Sequence, residues 1–179
     1  MNTIHHRIGA AALMAGLLGL AACATPSNPA MMTLPATAGL IATPGSTAYR
    51  SVTTVNVAGG QETNPLWTAQ VSDADFKLAL ENSLGAANYL GTEGRPTVVN
   101  ATLMALRQPL AGLDISVTSQ VRYTVTQSGQ PIFDELVAAT GTATMSDALI
   151  AAERLKMANE KSIQENIRQF LIRFRTNRQ

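Results

Sequence analysis

The side chains best suited to chemistry are gathered at one end of the sequence. The only cysteine, Cys23, and both histidines, His5 and His6, lie within the first 23 of 179 residues. Hydrolysis of the Ser-His-Asp or Cys-His kind needs an imidazole to take the nucleophile's proton. Transition-metal sites likewise draw mainly on His and Cys. Beyond Cys23 the chain has neither. Among the carboxylates, Asp134 and Glu135 are neighbours on a predicted strand and so point to opposite faces. Asp73 and Asp75 suit the start of a helix. No Gly-Lys-Ser/Thr phosphate loop and no G-x-S-x-G elbow occur, and Gly59-Gly60 alone carries no specificity. Lysine-, tyrosine- or carboxylate-based chemistry stays open, but the inventory disfavours an enzyme, and it calls for no catalytic residue, metal or diffusible cofactor.

The first 22 residues have the parts of a secretory signal: a short cationic start ending at Arg7, an apolar run from Ile8 to Leu20, then small residues. The run is too short for a membrane span, which needs about 20 apolar residues. Leu20-Ala21-Ala22-Cys23 resembles the lipobox of bacterial lipoproteins. The resemblance implies a diacylglyceryl group on the Cys23 thiol, cleavage before Cys23 and acylation of the new amino end. Ala24, where retention in the inner membrane calls for Asp, implies the periplasmic face of the outer membrane. One acyl chain holds only marginally, whereas two or three make attachment effectively permanent. Removal of the leader leaves 157 residues with 12 basic and 12 acidic side chains. With its one thiol consumed, that chain forms no disulfide and must be held by its core, for which its length suffices.

Residues 24–48 contain Pro26, Pro29, Pro35 and Pro44, many small residues and no charge. This composition predicts a flexible tether over 23–48 between the anchor and a single domain over 49–179. The alternative is that Met31, Met32, Leu34, Leu40 and Ile41 pack onto the domain.

The remaining chain must build whatever surface does the work. Tyr49 to Ala58 is rich in Val and Thr and predicts a strand ending at Gly59-Gly60. Ser72 with Asp75 has the form of a capping box, and Phe76, Leu80 and Leu84 then recur at helical spacing to about Asn88. Pro96 to Leu106 predicts a second strand. From Ile115 to Thr126, Ile115, Val117, Val121, Tyr123 and Val125 alternate with polar residues, so one face is buried and the other wet. Ser128-Gly129 turns into a fourth strand, Pro131 to about Met145, with Phe133, Val137, Ala139 and Ala143 on one face. From Ser146 to Arg175, Leu149, Leu155, Ile163, Ile167, Phe170 and Phe174 lie on a helical stripe, with charged residues such as Arg154 and Glu160 mostly off it. The expectation is a two-layer α+β domain of order β-α-β-β-β-α, its mainly antiparallel sheet covered on one face by two helices.

Two surfaces then offer themselves to a partner. One is the wet strand face with Thr118, Gln120, Arg122 and Thr124; the other is the loop Glu62 to Trp67, with Glu62, Asn64 and Trp67 as candidates. Trp67 could equally plug the core. Asn159 and Asn166, seven apart on the last helix, bond to sheet ends or loops, or touch a ligand. Arg168, Arg173, Arg175 and Arg178 make the C-terminal end cationic. That suits a helix C-terminus, and Arg173 and Arg175 could also meet anionic lipid or lipopolysaccharide phosphates. Zero net charge and the compartment argue against nucleic acid.

Four strings, VAGGQETNPLW (57–67), QPLAGLDISVT (108–118), VRYTV (121–125) and RLKMANEKSIQENIRQFL (154–171), resemble a family of short alphaproteobacterial lipoproteins, some of which carry the name UDP-N-acetylglucosamine acyltransferase. Acyltransferases of that name are left-handed β-helices with hexapeptide repeats and a His base, and this chain shows no six-residue repeat. The lipidated N-terminus with a β-α-β-β-β-α order is also similar to periplasm-facing accessory lipoproteins of envelope assembly or transport. The expected function is a non-enzymatic, membrane-anchored binding module with an envelope protein partner. An enzyme acting on envelope glycolipid or peptidoglycan and a lipopolysaccharide-handling accessory are the alternatives.

Overall fold

A computed structural model describes residues 24–66, 68–109 and 112–176. Cys23 and Trp67 lie outside the described residues. The elements in chain order are α1 (Pro29–Met32), β1 (Val52–Ala58), α2 (Asp73–Ala86), β2 (Thr97–Arg107), β3 (Ile115–Gln127), β4 (Gln130–Ala143) and α3 (Ala151–Thr176). The strands form one open sheet in the order β1-β2-β3-β4. β1 and β2 run parallel, while β2–β3 and β3–β4 are antiparallel. A parallel pair needs a crossover, and α2 supplies it. The α+β class and the sequence order of the six principal elements are those expected.

Local chemistry sets the element ends. Ser72 caps α2: its hydroxyl accepts from the Asp75 amide at 3.1 Å and donates to the Asp75 carboxylate at 2.8 Å. α2 stops at Ala86, earlier than its apolar spacing suggests, because Asn88 turns into a left-handed conformation with φ 60°. Ser128-Gly129, both at positive φ, makes the β3–β4 turn.

The core lies between the sheet and the helices. Tyr123 of β3 stacks on Phe170 of α3 with ring centroids 4.1 Å apart, and Phe133 meets Phe170 and Phe174 edge-on at 5.7 and 5.8 Å. Such ring pairs add about 0.5–1.5 kcal/mol beyond the area they bury. Further along, α3 lies directly on the β4 backbone. A Cβ on Gly141 would collide with the Ser162 amide and come within 2.6 Å of the Ala158 carbonyl, so only glycine fits.

Three expectations change. Residues 24–48 do not hang free: Met32, Leu34, Leu40 and Ala42 are buried in the main core, while Met31 stays exposed and Ile41 is half-buried. The segment closes the seam between α2 and α3. The Ser83 hydroxyl accepts from the Leu34 amide at 2.8 Å, Gln164 donates to the Thr33 carbonyl at 2.8 Å, and the Glu160 carboxylate accepts from the Asn28 amide at 2.7 Å. That cover is why Glu160 is buried although its charge placed it off the stripe. Arg154 is buried too, because its guanidinium donates to the Ala148 and Leu149 carbonyls at 2.8 Å each. Leu149 itself precedes the helix and is exposed.

Candidate functional site

Among the described residues the helices all lie on one face of the sheet, and the other face is open. Its side chains come from the alternate positions of the strands, so the alternation that buries Val117, Val121, Tyr123 and Val125 turns Thr118, Gln120, Arg122 and Thr124 outward. Cross-strand register sets what they meet. Ser116 pairs with Thr142 and Thr118 with Thr140, each pair of hydroxyls 2.8 Å apart. The Asn56 amide donates to Asn100 at 2.9 Å, and Asn100 reaches Thr124 at 3.4 Å, which carries a row of amide and hydroxyl groups across three strands. Arg122 donates to both oxygens of Asp134 at 2.8 and 2.9 Å. The hydrogen bond to Arg122 holds the Asp134 carboxyl below its ordinary range, and the carboxylate in turn raises the guanidinium. The face therefore presents mainly neutral donors and acceptors around one forked ion pair, with Arg107 and Leu136 exposed beside them opposite Thr118 and Arg122.

The covered face is polar in a different way. Asn166 accepts from the Tyr123 hydroxyl at 3.0 Å and donates to Ser119 Oγ at 3.1 Å and to the Val137 carbonyl at 3.0 Å. Ser162 donates to Ser119 Oγ at 2.8 Å. Burial raises the Tyr123 phenol far above its usual range, so it stays a neutral donor. Asn159 donates to the Ala69 carbonyl at 2.9 Å and accepts from Gln108 at 2.9 Å. Of the two roles open to these asparagines, sheet and loop bonding is the one their partners fulfil.

The remaining candidates fall in separate places. Glu62 and Asn64 are exposed in the β1–α2 loop, where Asn64 Oδ1 accepts from the Leu66 amide at 3.0 Å and fixes a tight turn. Arg173 donates to Glu135 at 3.4 Å, on the helix side of the sheet, while Asp134 serves the open side, as neighbours on a strand must. Arg175 lines a small cavity of about 140 Å³ with Tyr89, Phe174 and Ile41. The loop, the open face and the arginine end of α3 do not converge on one site. A groove of about 540 Å³ runs between the edge of β4 at 138–142 and α3, but its cations are engaged: Lys161 with Asp147 at 3.0 Å and Arg168 with Glu165. Asn56 and Asn100 belong to the open face without any signal in the sequence that singles them out, and Asp134, weighed there only as a carboxylate beside Glu135, joins them. The period of two could have placed them there once the strand pairing was known. Among the described residues no three His, Cys, Asp or Glu side chains are grouped to hold a metal ion, and no helix is long and apolar enough to cross a membrane.

No protein-family model matches the chain, and no curated protein matches it. Solved structures do. Protein XCC0632 from Xanthomonas campestris, of the DUF330 family, matches with a TM-score of 0.52 at 10% identity, over 86% of this chain and 98% of that one. A minor lipoprotein from Acinetobacter baumannii matches with a TM-score of 0.50 at 12% identity, over 72% of this chain and 95% of that one. The chain shares the fold of these Gram-negative bacterial proteins.

Proposed function

We propose that the protein is a non-enzymatic lipoprotein, held by acyl chains on Cys23 at the periplasmic face of the outer membrane, whose open sheet face docks a protein of an envelope assembly or transport machine. The observation that carries this reading is that face. Four strands are sealed by helices on one side and left bare on the other, with hydroxyl and amide pairs and the Arg122–Asp134 fork facing outward. A sheet covered on one side only is stable in water when its outer positions are mainly polar, and a surface rich in paired hydroxyl and amide groups suits recognition of another protein by hydrogen bonds. The carboxylates support a binding role over catalysis. Asp134 and Glu135 serve opposite faces, and Asp147 and Glu165 are each held by a cation. The fold shared with a minor lipoprotein agrees with the anchor.

Two measurements test the reading. A labelled acyl precursor is incorporated into the native protein and not into Cys23→Ala. Affinity capture from solubilised envelopes retains a partner that the combined Thr118→Lys and Arg122→Glu variant loses, with melting behaviour unchanged. Equal capture by that variant would remove the open face from the account, and turnover of an envelope substrate by the purified protein would replace binding with catalysis.

A further inference from the structure

The ends of the sheet differ in what they expose. β1 and β2 end, β3 begins, β4 ends and α3 begins at the same end of the molecule, as the register of Ala58 with Thr102 and of Ile115 with Ala143 requires. Three connections therefore leave that end together, described at 59–66 and 68–72, at 108–109 and 112–114, and at 144–150. Bonds tie them to one another and to α3, from Thr68 to Gln108 at 3.0 Å and from Gln108 and Asn159 to the Ala69 carbonyl. These loops hold Leu66, Leu113, Leu149 and Ile150 at 85, 73, 82 and 57% exposure, with Met145 beside them. Around Leu66 and Leu149 the backbone is held in place: Asn64 holds the Leu66 amide, Arg154 holds the Ala148 and Leu149 carbonyls, and Asp147 holds Thr144. A core accepts such residues readily, so a cluster left outside marks a contact surface.

The chain's own start says what covers it. Ala24, the residue after Cys23, is buried at this same end, where its amide donates to the Pro65 carbonyl at 2.9 Å; Ser27 donates to the Gln70 carbonyl at 3.3 Å. Cys23 lies one residue, about 3.8 Å, from that point. Its acyl chains would then leave the domain beside Leu66, with no free tether between. We infer that the three loops form a membrane-docking tip: the side chains of Leu66, Leu113, Leu149 and Ile150 enter the lipid leaflet that holds the acyl chains, and so set the domain's orientation on the bilayer. The inference rests on lipidation of Cys23. The three loops contain Glu62, Asp114 and Asp147 and no lysine or arginine, so the contact is apolar rather than electrostatic. α3 then points away from the bilayer, with Arg173 about 33 Å from its first residue. That distance keeps Arg173 and Arg175 off the anchoring leaflet.

The test uses the full lipidated protein in vesicles of phosphatidylethanolamine and phosphatidylglycerol. With Cys23 consumed, a thiol introduced by Leu66→Cys, Leu149→Cys, Thr124→Cys or Thr176→Cys is the only one free, and each variant carries an environment-sensitive fluorophore. A nitroxide on the lipid near the glycerol should quench positions 66 and 149 at least about fivefold more than 124 and 176, because interfacial groups lie about 5–10 Å inside the boundary. The pattern should persist in high salt and in vesicles without phosphatidylglycerol. Equal quenching at all four positions overturns the tip while leaving the anchor intact. Shielding of 66 and 149 from aqueous iodide without lipid quenching assigns the loops to contacts between copies and overturns it as well. Failure of the native protein to take up an acyl precursor overturns both the anchor and the docking.

Discussion

The two faces of the sheet use polar residues to opposite ends. On the covered face, Ser119, Tyr123, Ser162 and Asn166 are buried, and their partners lie on different elements, so the network locks α3 onto β3 and β4. On the open face, the hydroxyls of Thr118 and Thr140 and of Ser116 and Thr142 are paired only with each other, across neighbouring strands. The same residue types specify packing in one place and leave a surface in the other. Substitutions on the covered face should therefore cost stability, and those on the open face should cost binding.

The largest effect is expected at the aromatic cluster. Phe170→Ala should destabilise the domain by about 3–5 kcal/mol, which lowers Tm by on the order of 10 °C at this size, as read by thermal or urea unfolding. A loss below about 1 kcal/mol would mean that the helix layer does not hold the sheet. Asn166→Ala comes next, at about 1–3 kcal/mol, because it removes the acceptor of the Tyr123 hydroxyl in a dry interior. Thr118→Ala and Thr140→Ala should each change stability by no more than about 0.5 kcal/mol while weakening partner capture; a larger destabilisation would erase the contrast between the faces.

The smallest effect is a pH dependence at the N-terminal segment. Burial raises the Glu160 carboxyl above its ordinary range, against the lowering pull of the Asn28 amide and Lys156. The folded state then holds the proton more tightly than the unfolded one, so this group's contribution grows as pH falls through its folded pKa towards the unfolded value and is lost as pH rises. Glu160→Gln keeps an acceptor for the Asn28 amide and should abolish that slope, measured as stability against pH. Asp147 works with the opposite sign. The Thr144 amide first, and then Lys161, hold its carboxyl low, so its contribution is present above the ordinary carboxylate range and lost on acidification.

How much of this could be read beforehand depends on the range of the interaction that decides it. The alternation in β3 and the capping box at Ser72 are local patterns, and both stand where the residues put them. The spacing places the start of α3 too early because Leu149 continues the three-and-four pattern of the true stripe; spacing alone carries no stop, and Arg154 binds the Ala148 and Leu149 carbonyls ahead of the helix, which begins at Ala151. The place of residues 24–48 was open for a different reason. Pro-rich, uncharged composition describes a flexible chain, and only Ser83, Glu160 and Gln164, all far along the sequence, reveal a seam for Met32 and Leu34 to close. The open face was legible strand by strand, but its pairing was not. Arg122 stood out as a charge among threonines, whereas its partner Asp134 became visible only through the register of β3 and β4.

The most direct measurement of the central claim is in-cell photo-cross-linking from both sides of the domain. A photoreactive side chain at Thr124, on the open sheet face, should form an adduct with an envelope protein, while one at Lys77, exposed on α2, should form none. Adducts from Lys77 with Thr124 silent would contradict the account, because the partner would then sit on the helices and leave the open face without a role.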